Sequence, residues 1–528
     1  MNGITKSITF LKEYKQLKQA VDEGKTPVLA VGLSVIHKAH LAAALGLDTD
    51  RPVLVLTDDD NAANRFAADL RGFSERDIVQ LPSRELVMAD VVGVSRGYEQ
   101  RRLAALDELT EAHFAVASVQ AAAQRTMPPE ALKAAIVSLA TGETAPLDEL
   151  AQSLTRAGYE RCVQVEGTGQ FSIRGGILDV FPPQAEHPYR VEFWDDEIDS
   201  ISTFDVGSQR RLEQCECLRC LPCMESIPAL AKGGAAGLAK AVLALTSTRR
   251  KKQHADLQTN LERDAERLRE TGSLPAADKY MPLIYPEMAT AFDYLPENAI
   301  VIIEDTPRLR DAVRDFHARV ADDVTALLER GEMPPALGEY ALDFVGVCSM
   351  KRQILRLDSF LNNVAELTPQ HLENFIANQM NAYGGNLDMA SADIRSYTEQ
   401  GRAVAVVCGS VLRCQNMLDA LTDTGLNVKI SDLLPKGGCV NIMEGTLSAG
   451  FEYPDLGLVV MTEGQVLARR KKTQVKKSNR DKVKSYTDLT PGDLVVHEHH
   501  GIGRFIGMER MTVDGSERDF IKIAFAGT

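Results

Sequence analysis

The segment 167–205 restricts what this chain can fold into more than any other part of the sequence. Its residues alternate between polar and apolar at 170–174 and at 189–194, and an apolar run lies between these stretches at 177–181. A repeat of two residues is the period of a β-strand. The Gly-Gly pair at 175–176 lets the backbone turn sharply, and the Pro-Pro pair at 182–183 ends the middle stretch. We therefore predict three short strands of a small sheet.

The last of these strands carries the only tryptophan of the 528 residues. Alternation turns Val191 and Phe193 towards a core, and it turns Arg190, Glu192 and Trp194 to the opposite face. At about 3.3 Å per residue, Arg190 and Trp194 lie roughly 13 Å apart on that face. Arginine and tryptophan on one outward face are typical of a protein–protein hot spot. The alternative is that another domain covers the sheet and that Trp194 belongs to a core.

The same block resembles a known protein family. It has an Arg-Gly turn at 174–175, then Leu-Asp-Val-Phe-Pro at 178–182, and an aromatic strand running into Asp-Glu-Ile-Asp at 190–199. These features are similar to the second domain of the bacterial excision-repair protein UvrB and, more closely, of the transcription-repair coupling factors. In that family the domain binds UvrA, the damage-recognition ATPase, so the resemblance implies UvrA as a partner. The positions that match the family's contact residues are Arg174, Arg190 and Trp194.

Length and composition favour a multidomain protein of the cytoplasm. A chain of 528 residues is expected to hold several domains, each with its own core. No run approaches the roughly 20 apolar residues of a membrane span, and the N-terminus has no signal-peptide pattern. Nine cysteines without disulfide-rich spacing fit a reducing compartment. We therefore expect a cytoplasmic protein without a membrane partner, and the net charge of -15 argues against a chain coated in nucleic acid.

A basic tract interrupts this acidic chain at 469–484. It holds nine lysines and arginines against a single acid, Asp481. Such tracts are usually solvated, and we favour a linker between domains. The alternative is a binding site for nucleic acid or for an acidic partner.

The periodicity of the whole chain predicts an α/β multidomain protein in which a small α+β domain is inserted into the first domain. The predicted parts are a UvrB-like α/β domain at 1–128, the UvrA-binding α+β domain at 129–208, the completion of the first domain at 209–345, an α/β domain of unknown role at 346–465, the basic linker at 466–485, and an all-β domain at 486–528.

The first strand, loop and helix resemble a nucleotide site that has lost essential residues. A phosphate loop of the form G-x-x-x-x-G-K-[ST] needs its second glycine for a close backbone approach and its hydroxyl for Mg²⁺. Here His37 replaces that glycine and Ala39 replaces the hydroxyl residue, so we predict a degenerate P-loop, helicase-like domain that binds no ATP. The acids after strand 300–303 then have no phosphate to act on, and no catalytic residue is predicted. The residues of this degenerate nucleotide site are Gly32, His37, Lys38, Ala39, Glu304 and Asp305.

Four cysteines within nine residues could indicate a metal site. Cys215, Cys217, Cys220 and Cys223 have the density of a zinc or iron–sulfur site. No second Cys/His pair follows at finger-like spacing, and the run reads as a strand that leads into Leu-Pro at 221–222. We predict no metal, although the cysteine pattern leaves the question open.

The C-terminal segment predicts strands at 493–497, 503–511 and 519–525, with a hairpin turn at Asp514-Gly515. The closely spaced His497, His499 and His500 are more typical of a turn at a strand end than of a metal site.

The runs 492–497 and 500–505 resemble the RNA polymerase-interacting domain of the coupling factors, a Tudor-like barrel shared with the CarD regulators. The resemblance implies that this domain binds the polymerase β subunit. It also implies that the barrel continues past Thr528, so that it is truncated here. The matching positions are Met511, Arg504 and Phe505.

Together these features predict a non-catalytic adaptor without a cofactor, which holds UvrA on one domain and RNA polymerase on another. In full-length family members ATP and Mg²⁺ serve a DNA translocase, which is also the expected main contact to double-stranded DNA. The alternative is a UvrB-like, ATP-dependent helicase that processes DNA damage.

Overall fold

The computed structural model describes residues 2–89, 96–245, 255–334, 337, 339–433, 437–467, 494–497, 501–513 and 516–525. The chain divides into two compact units, Met1–Ala468 and Arg469–Thr528. Within the described ranges, no helix is both long enough and apolar enough to cross a membrane. The predicted basic linker at 469–484, the turn at Asp514-Gly515, and His499 and His500 lie outside these ranges.

The first part of the chain alternates strands and helices. Three of its strands are buried at every residue, with sequences such as VLAV and FAVAS, because parallel strands are covered on both faces, whereas the edge strand β3 is buried only at alternate residues. The strands are β1 Val28–Val31, β2 Val53–Thr57, β3 Ile78–Leu81 and β4 Phe114–Ser118. The helices are α1 Asn2–Ser7, α2 Lys12–Asp22, α3 Val35–Thr49, α4 Asp60–Phe73, α5 Gly97–Leu109 and α6 Val119–Ala123.

A small antiparallel domain follows. Its helices are α7 Pro129–Ala135 and α8 Leu147–Arg156, and its strands are β5 Val137–Ala140, β6 Glu160–Arg161, β7 Gln170–Arg174, β8 Ile177–Val180, β9 Tyr189–Trp194, β10 Glu197–Phe204, β11 Arg211–Cys215 and β12 Cys217–Cys220. The described strands form a sheet in the order β11-β10-β9-β8-β7-β6, and β12 pairs with β5. The three predicted strands are confirmed as β7, β8 and β9. The domain does not end at 208 as predicted, because β11 and β12 complete its two sheets.

The chain then returns to the first domain. The elements are the helices α9 Gly234–Ala244, α10 Ala255–Thr271, α11 Met281–Ile284, α12 Thr306–Glu329 and α13 Phe344–Cys348, and the strands β13 Ile300–Glu304, β14 Gln353–Leu357 and β15 His371–Asn374. Among the described residues seven parallel strands form one sheet, in the order β15-β1-β14-β13-β2-β4-β3. The strands before and after the small domain thus belong to the same sheet, in which β13 pairs with β2. The boundary predicted at 345 is too early, since β14 and β15 flank β1 on its two sides.

A second α/β sheet begins at 378. Its strands are β16 Asn378–Gln379, β17 Ala403–Cys408, β18 Val428–Ile430, β19 Val440–Glu444, β20 Phe451–Tyr453 and β21 Leu458–Thr462, and its helices are α14 Leu387–Glu399, α15 Val411–Asp423 and α16 Glu463–Val466. The order is β16-β20-β21-β17-β19-β18. Residues of β20 share one apolar core with α3 of the first domain, so the second sheet packs against that helix.

The second unit contains antiparallel strands only, as far as the structure describes it. These are β22 Leu494–His497, β23 Gly501–Val513 and β24 Ser516–Phe525, in that order in the sheet. Val513 pairs with Ser516, which is the register that a two-residue hairpin requires.

Candidate functional site

The small sheet has one apolar face and one polar face. Phe171, Leu178 and Val191 are buried in a core that includes Leu150 and Leu154 of α8. Trp194 lies on the opposite side of β9 and is 82% exposed. Trp194 therefore belongs to no core formed by the described residues, and the predicted alternation of β9 is confirmed.

A buried carboxylate lies at the centre of the polar face. Asp179 of β8 is only 1% exposed, and it is opposite Ser172 of β7 and Arg190 of β9. Arg190 Nε donates to Asp179 Oδ1 at 2.7 Å and Arg190 Nη2 donates to Oδ2 at 2.9 Å. Arg174 Nη2 donates to the same Oδ2 at 2.8 Å. One carboxylate thus binds two of the three residues that the sequence selected.

The two arginines are not equally accessible. The side chain of Arg190 is 16% exposed, and its guanidinium carbon lies 4.6 Å from the centre of the Phe204 ring. The hydrogen bonds that Arg190 donates to Asp179 raise the pKa of Arg190. The side chain of Arg174 is 50% exposed. We predicted that both would be solvent-facing contacts, but Arg190 lies mostly within the sheet surface.

The turn that carries Trp194 is fixed by neighbouring backbone. Asp195 has a φ of 58°, in the left-handed region that a tight turn uses. Ala145 N donates to Asp196 O at 2.8 Å, and Ile198 N donates to Glu143 O at 2.9 Å. The segment before α8 thereby holds the β9–β10 turn, so the position of the exposed indole is largely preformed.

In the second unit the three predicted contact residues differ in position. Arg504 is exposed, whereas Phe505 is 3% exposed and pairs with Ile523 of β24. A ring buried to this extent cannot serve as a surface contact, so its predicted role is wrong. Met511 lies in β23 opposite Arg518.

The loop after β1, which the sequence predicts to be a degenerate phosphate loop, lies against a distant part of the chain. Gly32 has a φ of 84°, and a Cβ on this residue would lie 2.2 Å from Phe375 O. Phe375 N in turn donates to Val31 O at 3.0 Å. The backbone that follows β15 therefore lies against the loop that would hold phosphates.

His37, at the position of the missing glycine, packs against the second sheet. Its Nδ1 lies 2.7 Å from Ser34 Oγ, and its ring centre is 5.4 Å from that of Phe451 and 5.1 Å from that of Tyr453. Burial lowers the pKa of His37 to about 4, so the imidazole is neutral at pH 7. The imidazole thus makes edge contacts with two aromatic rings of β20.

Lys38 and Glu304 face each other, with Nζ and Oε1 3.8 Å apart. Burial lowers the pKa of Lys38 although Glu304 opposes this, and burial raises the pKa of Glu304 although Lys38 opposes that. Desolvation is the larger cause for both groups, because the contact is long. The neighbouring Ala39 is buried and Asp305 caps α12. Lys38 and Glu304 thus form a buried ion pair with a weak mutual attraction, at the edge of the sheet.

The four clustered cysteines are divided between two strands and a loop. Cys215 ends β11, Cys217 begins β12, and Cys220 and Cys223 are buried in the core of the small domain. Burial raises the pKa of Cys220 to about 12. Among the described residues, which include all four cysteines, no three His, Cys, Asp or Glu side chains are arranged to hold a metal ion.

A buried ionic cluster, which the sequence did not predict, lies where the small domain joins the first. Glu225 Oε1 lies 2.7 Å from Arg84 Nε and 3.2 Å from Arg102 Nε, and Arg84 Nη1 lies 2.6 Å from Asp278 Oδ2. These residues lie far apart along the chain. The one sequence signal that could have predicted the cluster is that its charged residues stand among apolar neighbours.

Comparisons with known proteins agree with this geometry. A family model described as the UvrB interaction domain matches residues 137–225, which is the span from β5 to just past β12. A model described as the CarD-like/TRCF RID domain matches residues 489–528.

Relatives align over almost the whole chain. The transcription-repair-coupling factor of Bacillus subtilis is 31% identical over 98% of this chain and 45% of its own length. Those of Staphylococcus haemolyticus and Staphylococcus epidermidis are 27% and 26% identical over 96% and 97% of this chain, and 44% of their own length in each case. The chain therefore spans a little less than half the length of the curated relatives it matches.

Proposed function

We propose that this chain, which belongs to the transcription-repair-coupling factor family over 98% of its length, is a non-catalytic adaptor between DNA repair and transcription. The polar face of the small sheet binds UvrA, and the domain at 486–528 binds the β subunit of RNA polymerase. In a full-length member, a motor outside this chain would use ATP and Mg²⁺ to move on double-stranded DNA.

The exposed Trp194 is the observation that carries the UvrA assignment. The indole of Trp194 is 82% exposed, so it packs little against the rest of the free protein. It lies on the same face as the half-exposed Arg174. Tryptophan and arginine are the residue types most enriched in interface hot spots. The match of this domain to the UvrB interaction model supports the choice of UvrA as the partner.

The UvrB-like helicase is not favoured. The space of the phosphate loop is filled by Phe375, and the ring of His37 is packed between aromatic residues of another sheet. Both arrangements place other parts of this chain against the loop where a phosphate would need a close backbone approach.

Replacing Trp194 with alanine tests the proposal. The change should weaken UvrA binding at least about thirtyfold, which corresponds to about 2 kcal/mol. The melting temperature should barely move, because an exposed side chain contributes within about 0.5 kcal/mol to stability. Isothermal titration with UvrA and thermal melts measure the two effects on the same protein.

Phe360→Ala is the matched control, because Phe360 is also an aromatic residue with 82% exposure and lies after β14 of the first sheet. It should bind UvrA like the unchanged protein. A folded Trp194→Ala variant that binds UvrA with unchanged affinity would rule the assignment out.

A further inference from the structure

Asp179 is a carboxylate that is buried within the polar face of the small sheet. Asp179 is 1% exposed, and a buried charge is tolerated only when it is paired and hydrogen-bonded. Three hydrogen bonds from Arg174 and Arg190 supply that pairing. The same bonds restrict two side chains that would otherwise be flexible.

The hydrogen bonds to Asp179 restrict the two arginine side chains in different ways. Arg190 donates two parallel hydrogen bonds from the next strand, and Gln209 O accepts a further one from Arg190 Nη1 at 3.4 Å. Arg190 therefore fixes the carboxylate plane from one side. Arg174 uses only Nη2 on Asp179, so the rest of its guanidinium remains available to a partner.

Arg174 is thus presented beside Trp194 in a set orientation. Arg174 is opposite Ile177, Ile177 is opposite Glu192, and Trp194 is two residues further along β9. Two strand spacings and two residues place the Cα atoms about 12 Å apart. A binding surface that is ordered before it meets its partner loses less side-chain freedom on association.

We propose that Asp179 is a positioning residue of the UvrA-binding surface: it holds the Arg174 guanidinium in its binding orientation, with Arg190 as the second support. This inference rests on the proposed function. Asp179 itself is buried and does not touch UvrA.

A double-mutant cycle with purified UvrA tests the inference on the full chain. Asp179→Asn keeps the shape of the side chain and removes its charge, and it should weaken UvrA binding about tenfold or more. Arg174→Ala should weaken it about thirtyfold. If Asp179 acts through Arg174, the double variant should bind within about threefold of Arg174→Ala, because coupled residues are not additive. Independent contributions would multiply to about three-hundredfold and would overturn the inference.

Glu225→Gln is the matched control for stability. Glu225 is also a buried carboxylate that pairs with two arginines, but it lies in the junction with the first domain. It should lower the melting temperature while the folded protein binds UvrA with unchanged affinity. If Asp179 has only a structural role, Asp179→Asn should behave like Glu225→Gln, with a lower melting temperature and an unchanged affinity for UvrA.

Arg174→Lys gives a second test that does not depend on the stability of the Asp179 variant. Lysine keeps the charge on a half-exposed side chain but lacks the planar fork that Asp179 orients. It should lose most of the binding that Arg174→Ala loses, and binding within twofold of the unchanged protein would contradict the inference.

If Trp194→Ala and Arg174→Ala both bind UvrA normally, the proposed function fails. If those two weaken binding while Asp179→Asn does not, only the inference fails.

Discussion

Phe193 and Trp194 are adjacent residues, yet one packs against the core of the small domain and the other is exposed. The side of the strand on which each lies decides this, and the period of two residues was enough to predict it. Arg190 shows the limit of that rule. It lies on the polar face as predicted, but the carboxylate of Asp179 and the ring of Phe204 hold it within the surface. Alternation selects a face, whereas side-chain partners set the exposure.

Two buried histidines should make stability depend on pH. His40 Nδ1 lies 3.1 Å from Tyr453 Oη, and burial lowers the pKa of His40 to about 3 and that of His37 to about 4. The unfolded chain binds protons below about pH 6.5 that the folded chain does not, so stability falls as the pH drops from 6.5 towards 4. The loss is at most about 1.4 kcal/mol per pH unit for each histidine, and neither contributes above pH 7.

Urea unfolding of His40→Asn between pH 8 and pH 5 measures this effect. The variant should be less stable at pH 8, because it loses buried contacts, but its stability should fall less steeply below pH 6.5. His187→Asn removes an exposed histidine and should leave the slope unchanged. Equal slopes for His40→Asn and the unchanged protein would contradict the assignment.

At the scale of elements, β20 and the segment after β15 decide what the first strand, loop and helix can do. From His37 and Ala39 alone, the sequence predicted a degenerate phosphate loop. It did not indicate that Phe451 and Tyr453 pack on His37, or that Phe375 lies against Gly32. Those contacts join residues more than 300 positions apart, and local periodicity carries no information about such pairs.

Restoring the phosphate-loop motif should therefore not restore ATP hydrolysis. The double change His37→Gly and Ala39→Ser recreates the residue pattern, but Phe375 O still occupies the space beside Gly32. Both the unchanged protein and the double variant should show no DNA-stimulated turnover, and the variant should be less stable because a buried ring is lost. A rate near the lower end of ordinary enzymes, about 1 s⁻¹, in either protein would refute this expectation.

At the scale of the whole molecule, the two proposed binding surfaces lie in separate compact units, Met1–Ala468 and Arg469–Thr528. A change in one unit should therefore leave binding by the other intact. This independence is what an adaptor requires, because it must hold two partners at once.

Reciprocal variants test the independence. Met511→Arg places a charge in the strand proposed to contact the polymerase, and it should cost on the order of 2–5 kcal/mol of binding. Pull-downs should show loss of the β subunit and retention of UvrA for Met511→Arg, and the reverse for Trp194→Ala. If Met511→Arg keeps the β subunit, or if either variant loses both partners while folded, the assignment of separate surfaces is wrong.

The sequence by itself determined the strands of the small sheet and the face on which Trp194 lies, and it was enough to predict an inserted domain and a degenerate phosphate loop. Each of these depends on neighbours along the chain or on a motif of a few residues. The tertiary structure alone decided the domain boundaries near 220 and 375, the burial of Arg190 and Phe505, and the pairing of Asp179 with two arginines. These depend on strand pairing and on contacts between distant residues, which are selected by the free energy of the whole folded chain rather than by any local pattern.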